Sequence, residues 1–213
     1  MYIKNKSLSV AFKLAAFAAG TVGILLQCGV FSGRLDLSVF NYFTMMSNVL
    51  CAVYFLTASV SILRGRRSLM AGMKGALVLC IAVTGLVYNL MLAGRFKMQG
   101  TLFWSNTLLH CVVPVMTVLD WLLFDEKGRY TKYAPFQWCV FPVLYFVYVM
   151  VRVQLGGVLG PYGSRYPYYF MDVDLLGLGP VMLIGLVMIL CFLALGYGIL
   201  WLDRKMARMA AKK

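Results

Sequence analysis

Six apolar runs, joined by connections that are basic on every second occasion, leave this chain one kind of architecture. The runs lie near Lys13–Val30, Phe40–Leu63, Gly75–Ala93, Leu102–Phe124, Phe136–Val151 and Leu175–Leu202. A helix rises about 1.5 Å per residue and a bilayer core is roughly 30 Å thick, so each run is about long enough to cross it. The 213 residues are 62% hydrophobic and 13% charged, whereas soluble domains run near half apolar (roughly 45–50%). The expectation is an all-α membrane protein: one integral domain, residues 1–213, with six transmembrane helices. The fifth run is the shortest and is interrupted by Pro142.

The formal charge of +13 invites a nucleic-acid reading, and its distribution removes it. Fifteen of the 20 Lys and Arg sit before or at the start of the first run, or after the second, fourth and sixth. The other side carries only Arg34, Arg95, Lys97, Arg152 and Arg165. Because basic loops stay in the cytoplasm, both termini are expected there, in a multi-pass protein of the plasma membrane. The basic excess then reads as topology, with anionic inner-leaflet lipid as its partner and no nucleic acid.

Six cysteines, at 28, 51, 80, 111, 139 and 191, fall one per run without CxxC spacing, which suits small buried hydrophobes better than disulfides. No small-residue cleavage site follows a short apolar region, so the first run is expected to remain as a signal anchor. Ala19 and Gly23, and Gly75, Ala76, Leu79 and Cys80, are expected to permit close helix approach. The outer loop 156–174, rich in Gly, Pro and Tyr, fits an interfacial aromatic belt or a lid over a site. Asp172 and Asp174 are expected to cap the last span.

Given this topology, residue number becomes depth. Thr44 lies about 7 Å and His110 about 12 Å below the outer ends of their spans. Tyr88, Asn89, Tyr145, Tyr148 and Arg152 approach the same level from the opposite direction. Asn41, Thr44 and Asn48 share one helical face by their spacing of three and four, as do Asn106 and His110. Lipid offers such stripes no hydrogen bonds, so both are expected to turn inward onto one cavity that opens outward.

The chemistry available there is narrow. His110, the only histidine, can serve as general base, and Thr44 offers a hydroxyl nucleophile. Asn41, Asn48, Asn106, Tyr148 and Arg152 are candidates for binding substrate or stabilising an oxyanion. Ser47 is the second-choice nucleophile. Read singly, Thr44 has a plainer account, a hydroxyl bonded to its own backbone one turn back, and the asparagines have another as interhelical hydrogen-bonding groups. Pro114 reads as a kink. Haem or zinc ligation lacks its ligand sets within the spans, GxSxG is absent, and Asp120 lies about 15 Å along the helix from His110, too far to orient it. No cofactor and no metal are expected. A non-enzymatic binder or transporter of a small amphiphile remains the alternative to a hydrolase.

The segments NYFTMMSN (41–48), NTLLHCVVPVMTVLDWLLFD (106–125) and YPYYFMD (166–172) resemble the bacterial branch of the androgen-induced membrane protein family. That resemblance implies a multispan hydrolase of fatty acid esters of hydroxy fatty acids, using an intramembrane threonine and histidine. Matched by motif, these are Thr44 and His110. Where such relatives tend to carry an Asn-His pair ahead of the motif histidine, this chain has Asn106-Thr107.

Overall fold

The computed structural model describes residues 2–66, 71–92 and 99–212. Arg67, Ala93, Arg95, Lys97 and Lys213, which entered the reading above, lie outside them. Five helices are long and apolar enough to cross a membrane: α1 (Lys6–Gln27), α2 (Phe43–Leu63), α4 (Gly100–Phe124), α5 (Ala134–Gln154) and α7 (Leu178–Ala211). The helix α3 (Lys74–Val87) is shorter as an α-helix and runs on as a π-helix over Tyr88–Leu92. A single turn, α6 (Val173–Leu176), precedes α7. No strand occurs among the described residues.

Two helix starts differ from expectation for one reason. The first run begins at Lys6 rather than Lys13, and Lys74 opens α3 rather than preceding it. Both lysines are buried, 3% and 1% exposed, and both reach Asp120, itself 0% exposed. A lysine with a buried carboxylate partner belongs inside a bundle, although in sequence it looks like a boundary charge. The Lys13 ammonium lies 2.6 Å from one oxygen of Asp120, and that of Lys74 takes the other. The starts of α1 and α3 and the end of α4 therefore share one end of the bundle, and the helices alternate in direction.

Small residues set the packing. A Cβ added at Gly23 would come 2.8 Å from Leu109 Cδ2, and one at Gly75 2.1 Å from Trp138 Cζ2. Both positions are therefore close approaches, α1 to α4 and α3 to α5, as the small-residue pattern anticipates. Ala16, Cys51, Phe55, Ile81 and Val113 close the centre of the α1–α4 bundle. By contrast α7 is largely unburied along its apolar stretch, with Leu183, Leu186, Val187 and Leu190 exposed. Such a surface is consistent with a helix that crosses a membrane.

Each chain end and turn follows local chemistry. Asn5 caps α1 by accepting the Leu8 N–H at 3.0 Å. Asp172 accepts the Leu175 N–H at 2.9 Å and so caps α6, not the last span, while Asp174 pairs with Arg165 at 2.8 Å. The expected cap of the long helix is thus displaced by one turn, because Gly177 (φ +80°) breaks the chain before α7 begins.

The loop between α5 and α6 is folded, not a surface belt. Leu159, Tyr166 and Met171 are buried against Tyr145, Val149 and Val153 of α5. Arg165 also donates to the Val153 carbonyl at 3.2 Å, pinning the loop to α5.

Candidate functional site

In α4, Pro114 has no N–H to give the carbonyl four residues back, that of His110. The turn before it widens into a π-helix, Leu108–Val112, with His110 at its centre. Isolated π-turns are uncommon and cluster at functional sites. Opposite lies the second π-segment, Tyr88–Leu92. Asn89 spans the gap, donating to the Gly85 carbonyl at 2.8 Å and the His110 carbonyl at 3.3 Å. Gly85 permits the approach, since a Cβ there would stand 3.1 Å from the His110 oxygen.

The imidazole is held on two sides. Nδ1 lies 3.1 Å from the Asn106 carbonyl. A carbonyl only accepts, so Nδ1 carries the proton and Nε2 keeps its lone pair. The Tyr88 ring stacks on the imidazole at 4.0 Å between centroids and 28° between planes. Asn106 then closes the arrangement, its side-chain amide donating to the Tyr88 hydroxyl. One residue thus fixes the tautomer with its backbone and the stacking partner with its side chain.

Thr44 is the second residue of α2, where backbone N–H groups have no intrahelical acceptor. Its carbonyl, not its hydroxyl, is the anchor: it accepts from Ser47 Oγ at 3.0 Å and Asn48 Nδ2 at 2.9 Å. Asn48, 0% exposed, also donates to the Leu109 carbonyl at 3.2 Å. It therefore clamps the backbone at Thr44 to the residue before His110. Ser47 is occupied by Thr84, 3.0 Å away, and is buried behind the helix, which weakens it as a nucleophile.

Thr44 and His110 line one cavity of about 350 Å³, within the size range of small-molecule sites. Thr84, Tyr88, Tyr145 and Tyr168 add hydroxyls or rings at the same end. The opposite wall is apolar, formed by α5 and α7 through residues such as Phe146, Val181, Ile189 and Phe192. Val143 of α5 and Met182 and Leu186 of α7 line the cavity and are exposed. No hydrogen bond joins the Thr44 and His110 side chains; the cavity lies between them.

The other expected residues separate. Asn106 and Asn48 stand behind the pair as described. Asn41 is turned toward α5, where its side-chain oxygen accepts from Tyr148 at 2.8 Å and its backbone carbonyl from Tyr145 at 2.9 Å. Tyr148 is thereby spent on Asn41, and neither residue borders the cavity. Arg152 is exposed and lies off the cavity; its carbonyl turns the chain by accepting the Gly157 N–H at 2.8 Å.

Tyr168, Phe170 and Met171 bring the α5–α6 loop into the wall. Tyr168 stacks on Phe170 at 5.0 Å and meets Tyr42 edge-on at 5.6 Å. Burial pushes the Tyr168 phenol up to about 12, against the pull of hydrogen bonding from the Thr44 side chain and the Thr44 and Phe43 backbone. It remains a neutral hydroxyl at physiological pH beside the candidate nucleophile. Its position in an aromatic-rich loop gave no sequence signal distinguishing it from Tyr166 or Tyr169.

No protein-family model, curated relative or solved structure matches this chain.

Proposed function

We propose that this chain is a six-span plasma-membrane protein with cytoplasmic termini, related to the bacterial branch of the androgen-induced membrane proteins. In this reading it is an intramembrane threonine hydrolase of lipid or fatty-acyl esters. The observation that carries the reading is the shared cavity: the hydroxyl and the imidazole expected from sequence border one space with an apolar far wall. An acyl chain fits along α5 and α7, and its ester group rests at the polar end.

The chemistry follows from the groups present. With the ester beside them, Thr44 Oγ attacks the carbonyl carbon while its proton passes, through one bridging water, to His110 Nε2. The carbonyl oxygen becomes the oxyanion, close to the first-turn N–H groups of α2 and the Tyr168 hydroxyl. Collapse breaks the ester C–O bond, and the imidazolium returns its proton to the leaving alkoxide. Water, deprotonated by the same imidazole, then attacks the acyl-threonine; the bond from the acyl carbon to Thr44 Oγ breaks, the imidazolium returns its proton to Oγ, and the fatty acid leaves. Nδ1–H bonded to the Asn106 carbonyl steadies the ring through these proton transfers.

A serine/threonine-directed fluorophosphonate tests this on the intact chain in detergent or nanodiscs. Labelling is expected on Thr44, mapped by peptide mass spectrometry, and is expected to compete with a long-chain acyl ester. A label on another residue removes Thr44 as nucleophile. Absence of both labelling and ester hydrolysis returns the cavity to the binder or transporter reading.

Substrate length provides a second measurement. Gly185 lines the cavity opposite Phe146, whose ring stands 3.5 Å from where a Cβ would lie. Gly185→Leu is expected to narrow the acyl wall and lower kcat/KM for long-chain esters by about tenfold or more, sparing short ones. Equal losses for both lengths would place the acyl chain elsewhere.

A further inference from the structure

The end of α7 carries a second concave surface, remote from the first. Tyr197, Trp201, Arg204, Lys205, Arg208 and Lys212 recur at spacings of three and four, so they form one stripe along the helix. Lys132 joins them from the connection after α4, and together they border a groove of about 540 Å³.

The groove has its shape because the connection is docked on the other face of α7. Asp203, 0% exposed and pointing away from the stripe, accepts the Gly128 N–H at 2.8 Å. Gly128 (φ +82°) sits so close that a Cβ would stand 2.9 Å from that of Ala207. Thus the one acid on this segment is used for docking, and the cations are left to the groove. None of Lys132, Arg204, Lys205, Arg208 or Lys212 lies within ion-pair distance of a carboxylate among the described residues.

The stripe is graded along the helix. α7 has 34 residues, about 51 Å of helix against a core of roughly 30 Å. Its apolar stretch ends at exposed aromatic rings, Tyr197 and Trp201, the side chains that suit the headgroup level. The cations begin one turn beyond. Lys205 already lies over the Trp201 ring at 4.8 Å, which joins the aromatic floor to the charged wall. Aromatic rings at the level of glycerol and acyl carbon, followed by five unpaired cations, match an amphiphile with an anionic head and an apolar tail.

We propose that this groove is a binding site for the phosphate headgroup of an anionic phospholipid, with Arg204, Lys205, Arg208 and Lys132 on the phosphate and Trp201 on the lipid below it. The site stands independently of the hydrolase reading. Nucleic acid or a free anion would use the cations but not the rings that continue into the apolar stretch.

Native mass spectrometry of the full chain in detergent, with phosphatidylglycerol or phosphatidylcholine of matched chains added, tests it. The intact chain is expected to retain phosphatidylglycerol over phosphatidylcholine. Each cation near an anionic headgroup contributes about fivefold to affinity, so Arg204→Gln/Lys205→Gln/Arg208→Gln is expected to weaken retention on the order of 100-fold. These side chains are exposed and unpaired, and an unchanged melting profile should accompany the loss. Lys4→Gln/Lys6→Gln/Arg64→Gln removes as many cations elsewhere and should leave retention intact. Trp201→Ala should reduce retention with all cations kept. Equal loss in both triple variants would mean diffuse basic charge rather than a site, and the proposal fails. It fails equally if phosphatidylcholine is retained as well as phosphatidylglycerol, or if millimolar inorganic phosphate displaces the lipid, which would make the groove a free-anion site.

Discussion

Thr44→Ala and His110→Ala are each expected to abolish ester hydrolysis while leaving an inserted, folded protein. The expected loss in kcat is on the order of 10⁴-fold or more, the scale seen when one member of a nucleophile–base unit is removed. The backbone contacts at both positions outlast the changes. The Thr44 carbonyl, which takes Ser47 and Asn48, survives the change to alanine, and so does the His110 carbonyl bonded by Asn89. The double variant should be little worse than either single one, because a nucleophile without its base has already lost the same stabilisation. Thr44→Ser keeps a hydroxyl at the start of α2 and should retain partial turnover. Full activity in Thr44→Ala would exclude an acyl-threonine. Asn106→Ala separates positioning from chemistry, because the backbone acceptor for Nδ1 remains while the hold on Tyr88 is lost. A modest fall in kcat with KM unchanged is expected there.

Periodicity and depth account for Thr44 and His110 bordering one cavity, and for their neighbours missing it. A polar stripe at three-and-four spacing in an apolar run has one comfortable direction, inward, and depth along an alternating bundle places two such stripes side by side. Depth carries no azimuth, however. Arg152 stands near the right level but is exposed off the cavity, and Tyr148 reaches Asn41 instead. Pro114 announced a disturbance in α4; that it takes the form of a π-turn facing a second π-turn at Tyr88–Leu92 depends on the partner helix. Tyr168 was hidden because a loop that folds back over a cavity has the same Gly, Pro and Tyr composition as one that lies on the interface. The five long helices followed from apolar length. The start of α1 did not, because in sequence Lys13 reads as a boundary charge, and only its pairing with buried Asp120 puts it inside the bundle.

Removing that carboxylate is expected to have the largest effect on stability of any single change. Asp120 is the one acid between two buried ammonium groups, those of Lys13 and Lys74, from two other helices. Around them are rings rather than water: Phe124 lies 5.1 Å from Lys13 Nζ, and Tyr54 4.5 Å from Lys74 Nζ. Asp120→Ala would leave two like charges facing each other with no carboxylate in contact, Asp125 being the acid that still acts on them from a distance, at a cost of about 3–5 kcal/mol. In a chain of this size that corresponds to a fall in Tm of roughly 10 °C or more. Two ammonium groups contact one carboxylate, so Lys13→Met has a different consequence. It leaves the neutral Lys74–Asp120 pair and should cost about 1 kcal/mol or less, despite removing a 2.6 Å contact. Replacing all three, Lys13→Met/Lys74→Met/Asp120→Leu, should recover most of what Asp120→Ala loses, since no buried ammonium is left without a contacting carboxylate. Thermal unfolding of the four proteins in one detergent distinguishes these outcomes. A melting temperature for Asp120→Ala equal to that of the parent would mean that the lysines find water when the carboxylate is gone, and that this end of the bundle is not closed.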